Sequence, residues 1–370
     1  MKVCIFHDYI GELGGAEKVV FTLARYFKGL VITTELNRNS VEKAGYTDIK
    51  IESLGTPPGL PPFKQFTASI LFSGASIDHD FDVYISSGNW AHYSALKYHP
   101  NIYYCHTPTR AFFEGKKRMI ENQKSLFRKM AAYLWATVHK SFEVYNIRKN
   151  IDYIISNSKN VQNRVKSAYN LDSTIIYPPI PTEKYRFETL GDYWLSVNRL
   201  YPEKRIEMQL EIFRRLPEEK LKIVGGYSKT GLVAEYAMKC IKDAPENVEF
   251  IGEVTENELI KLYANCRGLI TTAIDEDFGM TPVEAMASGK VAVVVDEGGY
   301  RESVIHNETG WLLPANITTF VTLIKKLTDN VLLDKKMKCI ERARKFDTKI
   351  FCRKVETVIK NFIEMYRDRA

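Results

Sequence analysis

The chain has 370 residues, more than one ordinary hydrophobic core holds, so its length predicts two domains. Its 45% hydrophobic and 26% charged residues are typical of a soluble globular protein and exclude a disordered chain. The six cysteines are scattered, without a C-x-x-C pair or a Cys/His cluster, which predicts a reducing compartment and no structural zinc. With no signal-peptide pattern and no apolar run near the roughly 20 residues of a membrane span, we expect a cytoplasmic protein.

The first half of the chain alternates apolar runs with loops and amphipathic stretches. Strands are predicted at "KVCIF", "GLVITTEL", "FDVYISSG", "NIYYCHT" and "IDYIISNS", and a helix follows the loop "GELGGAEK". Alternating strands and helices are typical of an α/β layer with a parallel sheet. We therefore predict an N-terminal Rossmann-like domain over residues 1–177.

A second alternation follows the proline-rich segment "IIYPPIPTEKYRFETLGD", which is interpreted as a linker. Strands are predicted at "YWLSVN", "KLKIVGG", "VEFIGE", "GLITTA" and "VAVVV", with helices between them. The second domain is predicted over residues 178–349. The fold class is α/β, with two parallel sheets in tandem.

Glycines and charged residues collect where the predicted strands end. In open parallel sheets, ligands bind beyond the carboxyl ends of the strands, so these residues are candidates for a binding cleft. They are Gly14, Gly15, His106, Ser156, Asn157, Ser158, Arg199, Lys204, Gly225, Gly226, Gly252, Glu276, Gly298 and Gly299.

Each candidate has a structural alternative. The loop at Gly14 and Gly15 matches neither a dinucleotide fingerprint nor a P-loop; it is either a tight turn with positive φ or a backbone approach to a phosphate. Arg199 and Lys204 suit a diphosphate, or are solvated surface cations. His106 heads a loop where it would hydrogen-bond a ligand hydroxyl, or it is structural.

The segment "DEDFGMTPVEAMASGK" places Glu276 and Glu284 around a turn between a strand and a helix. Thr281 as N-cap, Pro282 at the first helical position and Glu284 three residues after the cap would form a capping box. Glu284 is therefore either a cap or a ligand contact. A helix N-terminus behind Gly279 is also suited to an anion.

Residues 116–150 carry nine basic and two acidic residues, a local excess of +7 interleaved with aromatic side chains. Such a stretch binds an anionic membrane or nucleic acid, or forms an ordinary helix with a solvated face. The cations taken as candidates for membrane or acceptor contact are Lys116, Lys117, Arg128 and Lys129.

Six ordered motifs in the second half resemble the retaining glycosyltransferases of family 4. These are "VNRLYPEKRIE", "LKIVGG", "VEFIGEV", "EDFGMTPVEAMASGKVAVVV", "EGGYRESV" and "TGWLL". The first half is similar through "GGAEKVV", "YYCHTPTR" and "IISNSKNV", and the "HTPTR" and "YPPI" segments resemble a mannosyltransferase-like subgroup. The resemblance implies a GT-B fold, with two Rossmann-like domains facing a central cleft and a C-terminal helix, about 350–370, packed on the first domain.

The resemblance also implies a role for each matching residue. Arg199 and Lys204 would hold the diphosphate of a nucleotide sugar, Glu284 its ribose, and Glu276 its sugar hydroxyls. His106 would lie beside the sugar ring, and the catalytic set is His106, Glu276, Arg199 and Lys204. Further donor contacts are expected from Gly14, Gly15, Gly225, Gly252, Phe278, Gly279, Met280 and Thr281.

The implied activity is retaining, metal-independent transfer of a hexose, expected to be mannose from GDP-mannose, to a saccharide or lipid-linked acceptor. No cofactor, metal or nucleic-acid partner is expected. Peripheral contact with an anionic membrane is expected. Two alternatives stay open: a UDP-sugar-dependent glucosyl- or N-acetylglucosaminyltransferase, and a catalytically silent nucleotide-sugar-binding subunit. A nicotinamide-dependent oxidoreductase is disfavoured because the first unit lacks a dinucleotide fingerprint.

Overall fold

A computed structural model describes residues 1–11, 14–43, 45–58, 63–78, 80–123, 125–228 and 231–368. The chain divides into two compact units, which we call unit 1 (residues 1–179 and 351–370) and unit 2 (residues 180–350). Each unit holds one parallel sheet with helices. The α/β class with two Rossmann-like sheets is therefore confirmed.

Within the described residues, unit 1 contains a seven-stranded parallel sheet of order β3-β2-β1-β4-β5-β6-β7. Its strands are β1 (Val3–Ile10), β2 (Leu30–Leu36), β3 (Lys50–Ser53), β4 (Val83–Ser87), β5 (Asn101–Cys105), β6 (Tyr153–Ser156) and β7 (Thr174–Ile175). Its helices are α1 (Gly15–Phe27), α2 (Arg38–Lys43), α3 (Phe63–Gly74), α4 (Lys116–Glu121), α5 (Leu126–Asn150) and α6 (Lys159–Tyr169).

Alternate residues of β1 face two different cores, because successive side chains of a strand point to opposite faces. Val3 and Ile5 pack with α1 and with residues Phe351 to Ile363 of the C-terminal helix. Phe6 packs on the other face, in a cluster to which α3 and α5 contribute. Helices thus cover both faces of the sheet, as a parallel sheet requires.

Unit 2, over the ranges given above, contains a six-stranded parallel sheet of order β10-β9-β8-β11-β12-β13. Its strands are β8 (Tyr193–Val197), β9 (Lys220–Val224), β10 (Val248–Gly252), β11 (Gly268–Thr271), β12 (Ala292–Val295) and β13 (Gly310–Leu313). Its helices are α7 (Ile206–Arg214), α8 (Gly231–Lys242), α9 (Glu256–Asn265), α10 (Met280–Ala287), α11 (Tyr300–Ser303), α12 (Ile317–Ile324), α13 (Asp329–Asp334) and α14 (Lys336–Arg344). The C-terminal helix, α15 (Thr348–Arg367), begins in unit 2 and belongs to unit 1 from residue 351.

The strand orders locate one switch point in each sheet, where the order reverses and ligands bind beyond the carboxyl ends. In unit 1 it lies between β1 and β4, and in unit 2 between β8 and β11. All six cysteines are buried free thiols. No helix in the described part of the chain is long and apolar enough to cross a membrane.

Candidate active site

A lysine and a glutamate form an ion pair at the switch point of unit 2. Arg199 follows the end of β8, Lys204 ends a 3-10 helix (Pro202–Lys204), and Glu276 lies in the loop after β11. Lys204 Nζ is 2.5 Å from Glu276 Oε2, with about a quarter of each side chain exposed (26% and 22%). The two strands beside the switch point thus bring opposite charges together where a ligand can reach both.

A buried polar network fixes the turn that carries Lys204. The Thr272 hydroxyl donates to the Lys204 carbonyl at 2.9 Å, and Gln209 Nε2 donates to the same hydroxyl oxygen at 3.0 Å. Arg205, in the left-handed region with φ 49°, donates to Glu297 Oε1 at 2.8 Å. Sequence reasoning missed Thr272, Gln209 and Glu297, although Glu297 directly precedes two glycines that it had selected.

Gly298 and Gly299 let one loop lie directly against another. A Cβ at Gly298, where φ is 55°, would lie 2.4 Å from the Glu276 carbonyl oxygen, and a Cβ at Gly299 would lie 2.4 Å from Phe278 Cα. The Gly299 N–H donates to the Glu276 carbonyl at 2.7 Å. Both glycines therefore hold the backbone of Glu276 in place.

The capping box considered as an alternative at Thr281 is not formed. Helix α10 begins at Met280, its N-cap is Gly279 with φ 85°, and it has no side-chain cap hydrogen bond. Pro282 is accordingly the third helical residue, and Glu284 lies in the second turn. A Cβ at Gly279 would lie 2.6 Å from the Tyr300 ring, so packing as well as φ requires glycine here.

Glu284 is buried within unit 2, at 3% exposure. The Tyr263 hydroxyl donates to Glu284 Oε2 at 2.9 Å, and burial raises the pKa of Tyr263, which keeps that hydroxyl a donor. The carboxylate thus accepts a hydrogen bond from α9. Contact with a ribose stays a prediction.

Gly225 and Gly252 lie at the carboxyl ends of β9 and β10. The Gly225 N–H donates to the Gly252 carbonyl at 2.9 Å, and a Cβ at Gly225 would lie 2.1 Å from the Asn198 carbonyl oxygen. Both have positive φ, 140° and 81°. Gly225 therefore allows close packing against the turn that leads to Arg199.

His106 of unit 1 directly follows β5, beside the carboxyl end of β4. His106 Nε2 and the Ser87 hydroxyl, at the last residue of β4, are hydrogen-bonded at 2.9 Å. The Tyr104 ring lies 5.1 Å from the imidazole. His106 therefore begins a loop, as expected from the sequence. Its neighbour Ser87 was not among the candidate residues.

A largely buried pair, His7 and Glu17, holds the backbone at Gly14, just before α1. Glu17 accepts from the Gly14 N–H at 2.8 Å, and its other oxygen is 3.6 Å from His7 Nε2. Burial by itself lowers the pKa of His7, but Glu17 and Asp8 outweigh it, so that pKa is raised while the pKa of Glu17 is lowered. Gly14 is extended, with φ −114°, and Gly15 begins α1, so the positive-φ turn considered for this pair is wrong.

Asp8, the next residue of β1, holds the loop after β4. Its carboxylate accepts the backbone N–H groups of residues 89, 90 and 91 at 2.6 to 2.8 Å. Gly88 leaves no room for a Cβ, which would lie 2.4 Å from Asp8 Cγ. A polar His7-Asp8 pair inside an otherwise apolar strand was the sequence signal for this arrangement.

The basic residues of 116–150 do not all face outward. Lys116 Nζ donates to Thr137 Oγ1 at 2.8 Å and lies 4.1 Å from the centre of the Tyr133 ring. Lys117 and Arg128 are exposed and Lys129 is half-buried, while Lys124, counted in the basic excess, lies outside the described residues. Lys116 is therefore engaged within unit 1.

Two family models match adjoining parts of the chain. "Glycosyltransferase Family 4" matches residues 13–184 and "Glycosyl transferases group 1" matches residues 182–346. The alpha-1,3/1,6-mannosyltransferase ALG2 of Dictyostelium discoideum is 25% identical over 97% of this chain and 98% of its own length. The O-antigen chain mannosyltransferase RfbU of Salmonella typhimurium is 26% identical over 48% of this chain and 52% of its own.

Solved structures share the fold over nearly the whole chain. Anabaena Alr3699/HepE, in complex with UDP and glucose, superposes with a TM-score of 0.76 at 18% identity, covering 96% of this chain and 99% of that one. Sucrose-phosphate synthase from Thermosynechococcus elongatus has a TM-score of 0.78 at 17% identity, covering 98% and 99%. The paired domain models and this shared architecture identify the chain as a GT-B glycosyltransferase of family 4, an enzyme of the hexosyltransferase class.

Proposed function

We propose that this enzyme transfers mannose from GDP-mannose, with retention of configuration and without a metal ion, to a saccharide or lipid-linked acceptor. The observation that carries the proposal is the 2.5 Å pair of Lys204 and Glu276 at the switch point of unit 2. In this pair a lysine, which is suited to a phosphate, lies beside a carboxylate, which is suited to sugar hydroxyls. The mannosyltransferase names of the relatives favour mannose over other hexoses.

Lys204 and Arg199 are proposed to bind the diphosphate of the donor. An ammonium and a guanidinium at the end of β8 would stabilise the negative charge that develops on the leaving group, as would the N-terminus of α10 behind Gly279. Two cations and a helix N-terminus could take the place of Mg²⁺ here. The proposal therefore expects full activity in EDTA.

The carboxylates are proposed to select the sugar and the nucleoside. Glu276 would accept hydrogen bonds from sugar hydroxyls, and Glu284 from the ribose hydroxyls. His106 in unit 1 is proposed to hydrogen-bond a hydroxyl near the anomeric carbon. Because Lys204 and Glu276 are ion-paired, binding of the diphosphate and of the sugar should be coupled through them.

Retention would follow from displacement on one face of the sugar. The bond from the anomeric carbon to the diphosphate oxygen breaks, and its electron pair stays with the diphosphate. The acceptor oxygen bonds to the anomeric carbon on the same face, and its proton passes to the departing oxygen. Exclusion of water would limit hydrolysis of the donor.

The donor is tested by thermal shift with GDP-mannose, UDP-glucose, UDP-N-acetylglucosamine and ADP-glucose, all in EDTA. A ligand at 100 times its dissociation constant adds roughly 2.7 kcal/mol to the stability of the state that binds it. We expect the largest shift with GDP-mannose, and NMR of the product should show an α-linkage. A preference for a UDP sugar, or an absolute need for Mg²⁺, would refute the respective part of the proposal.

The site is tested with variants that separate contacts to the sugar from contacts to the diphosphate. Lys204→Ala and Arg199→Ala should each weaken GDP binding about tenfold to a hundredfold, since hydrogen bonds to charged groups contribute roughly 1.5 to 3 kcal/mol. Glu276→Ala should abolish transfer yet bind GDP as well as or better than the wild type, because Lys204 loses its competing carboxylate. Near-normal turnover of Glu276→Ala would remove that residue from the site.

The matched control removes a lysine from another ion pair of the same unit. Lys220 Nζ is 2.6 Å from Asp192 Oδ2, and Lys220 is the first residue of β9, at the amino edge of the sheet. Lys220→Ala should leave both GDP affinity and turnover unchanged. An equal loss in this control would mean that the Lys204 effect is not specific to the switch point.

A further inference from the structure

Helix α5 exposes an apolar face, the reverse of an ordinary surface helix. Phe127, Met130, Leu134, Val138 and Phe142 follow helical spacing and are exposed, Phe127 to 81% and Leu134 to 64%. The opposite side of the helix buries two polar residues, Glu143 and Asn146, beside Ala136 and Ile147. Side chains of this size on one solvent-facing stripe indicate that something covers the helix.

Helix α3 adds a second apolar stripe beside the first. Phe63, Phe66 and Ile70, at i, i+3 and i+7, are each more than half exposed. The Phe66 ring lies 6.3 Å from the ring of His139 on α5, and the two helices share one hydrophobic cluster. We call the exposed apolar residues of α3 and α5 together the α3/α5 face.

The exposed charges that α4 and α5 contribute beside this face are mainly positive. Lys117, Arg128 and Lys149 are exposed near the ends of α4 and α5. Of the two acids in residues 116–150, Glu143 is buried and Glu121 lies 3.9 Å from Lys117. The face therefore combines apolar side chains with an electrostatic preference for anions.

We propose that the α3/α5 face is a docking surface for an anionic lipid bilayer. Its apolar side chains enter the boundary between headgroups and acyl chains, and the cations at its margins contact anionic headgroups. Charge favours this occupant over a second copy of the chain, because a second copy would bring like charges together. At 1.5 Å per residue, α5 extends about 37 Å, long enough to lie along a membrane surface.

The position of the face connects it with the reaction. One crossover connection leads from β5 to β6; His106 is its first residue and α5 is its last helix. A bilayer at α5 would hold a lipid-linked acceptor near this segment of unit 1. This link to the acceptor rests on the proposed function, whereas docking itself does not.

The test is co-flotation of the full chain with phosphatidylcholine vesicles and with vesicles containing an equal part of phosphatidylglycerol, without donor or acceptor. We expect binding to the anionic vesicles, reduced but not abolished by high salt, because salt screens the cations and not the apolar insertion. Phe127→Glu with Leu134→Glu should lower partitioning at least tenfold. Lys117→Glu with Arg128→Glu should lower it at low salt and have less effect at high salt.

The matched control places glutamates at exposed apolar residues of α8 in unit 2, Leu232→Glu with Met238→Glu, and should bind like the wild type. Thermal unfolding and circular dichroism verify that each variant is folded. The proposal is overturned if wild type ignores anionic vesicles, or if the α8 variant loses as much binding. A different result would assign the face to a second copy of the chain: the wild type does not bind vesicles but forms dimers in light scattering, and the Phe127→Glu with Leu134→Glu variant is monomeric. Because donors are absent, failure of the GDP-mannose assignment leaves this result unaffected.

Discussion

Glu143 is a buried carboxyl whose protonation should control the stability of unit 1. The Tyr169 hydroxyl donates to Glu143 Oε1 at 2.5 Å, and the Thr109 N–H, in the loop after β5, reaches the same oxygen at 3.4 Å. Burial raises the pKa of Glu143 from 4.5 to about 7; hydrogen bonds from Tyr169 and Thr109 oppose this rise, and Asp8 adds to it. The native state therefore keeps a proton that the unfolded chain releases at lower pH.

Proton linkage gives the sign and size of the effect of Glu143 on the stability of unit 1. A carboxyl with a raised native pKa stabilises the fold fully below about pH 4.5, and this stability is lost as pH rises through about 7. The shift corresponds to roughly 3 kcal/mol in total, of which roughly 2 to 3 kcal/mol is lost between pH 5 and pH 8. Burial to 2% exposure means that solvent does not screen this effect.

The assay compares wild type with Glu143→Gln, which cannot ionise. Hydrogen exchange measured by mass spectrometry at pH 5 and pH 8, with rates divided by intrinsic rates, gives the stability around α5, and peptides from unit 2 serve as internal reference. Wild type should lose roughly 2 to 3 kcal/mol between the two pH values relative to Glu143→Gln. Equal pH dependence of the two proteins, to within about 0.5 kcal/mol, would refute a raised pKa at Glu143.

Four substitutions in unit 2, one of them a comparison in β10, test the geometry around α10 by thermal unfolding. Thr281→Ala should cost less than about 0.5 kcal/mol, since Thr281 does not cap the helix; a loss near 1 kcal/mol would restore the capping box. Gly279→Ala should cost more than Gly252→Ala, because both have positive φ but only at Gly279 would a Cβ meet a ring atom, 2.6 Å away; equal losses would contradict this. Tyr263→Phe should cost roughly 1 to 3 kcal/mol by removing a donor from buried Glu284, and an unchanged melting temperature would show that the hydroxyl contributes nothing.

The central strands were readable from the sequence, and some edge strands were not. The predicted strands correspond to β1, β2, β4, β5, β6 and β8 to β12, each marked by an apolar run. The three unpredicted strands, β3, β7 and β13, are edge strands of two to four residues. An edge strand has one paired neighbour and, when short, too few buried positions to show a pattern.

For the site, motif order along the chain identified the family and placed Arg199, Lys204, Glu276 and His106 at the carboxyl ends of strands. Local patterns failed where distant residues decide the outcome. The sequence around Thr281 fits a capping box, but α10 begins at Met280, and its N-cap Gly279 packs against the Tyr300 ring. Local propensity is a weak prior that such tertiary contacts override.

The sequence by itself determined the α/β class, the two alternating halves and the sites where charge collects, because hydrophobic periodicity and turn residues act over short distances. Only the tertiary structure decided how those charges are used. It paired Lys204 with Glu276 across 72 positions of sequence and buried Glu143 beside Tyr169. It also turned Lys116 inward and left the apolar side of α5 exposed, since the direction of a side chain depends on which helix face the rest of the fold covers.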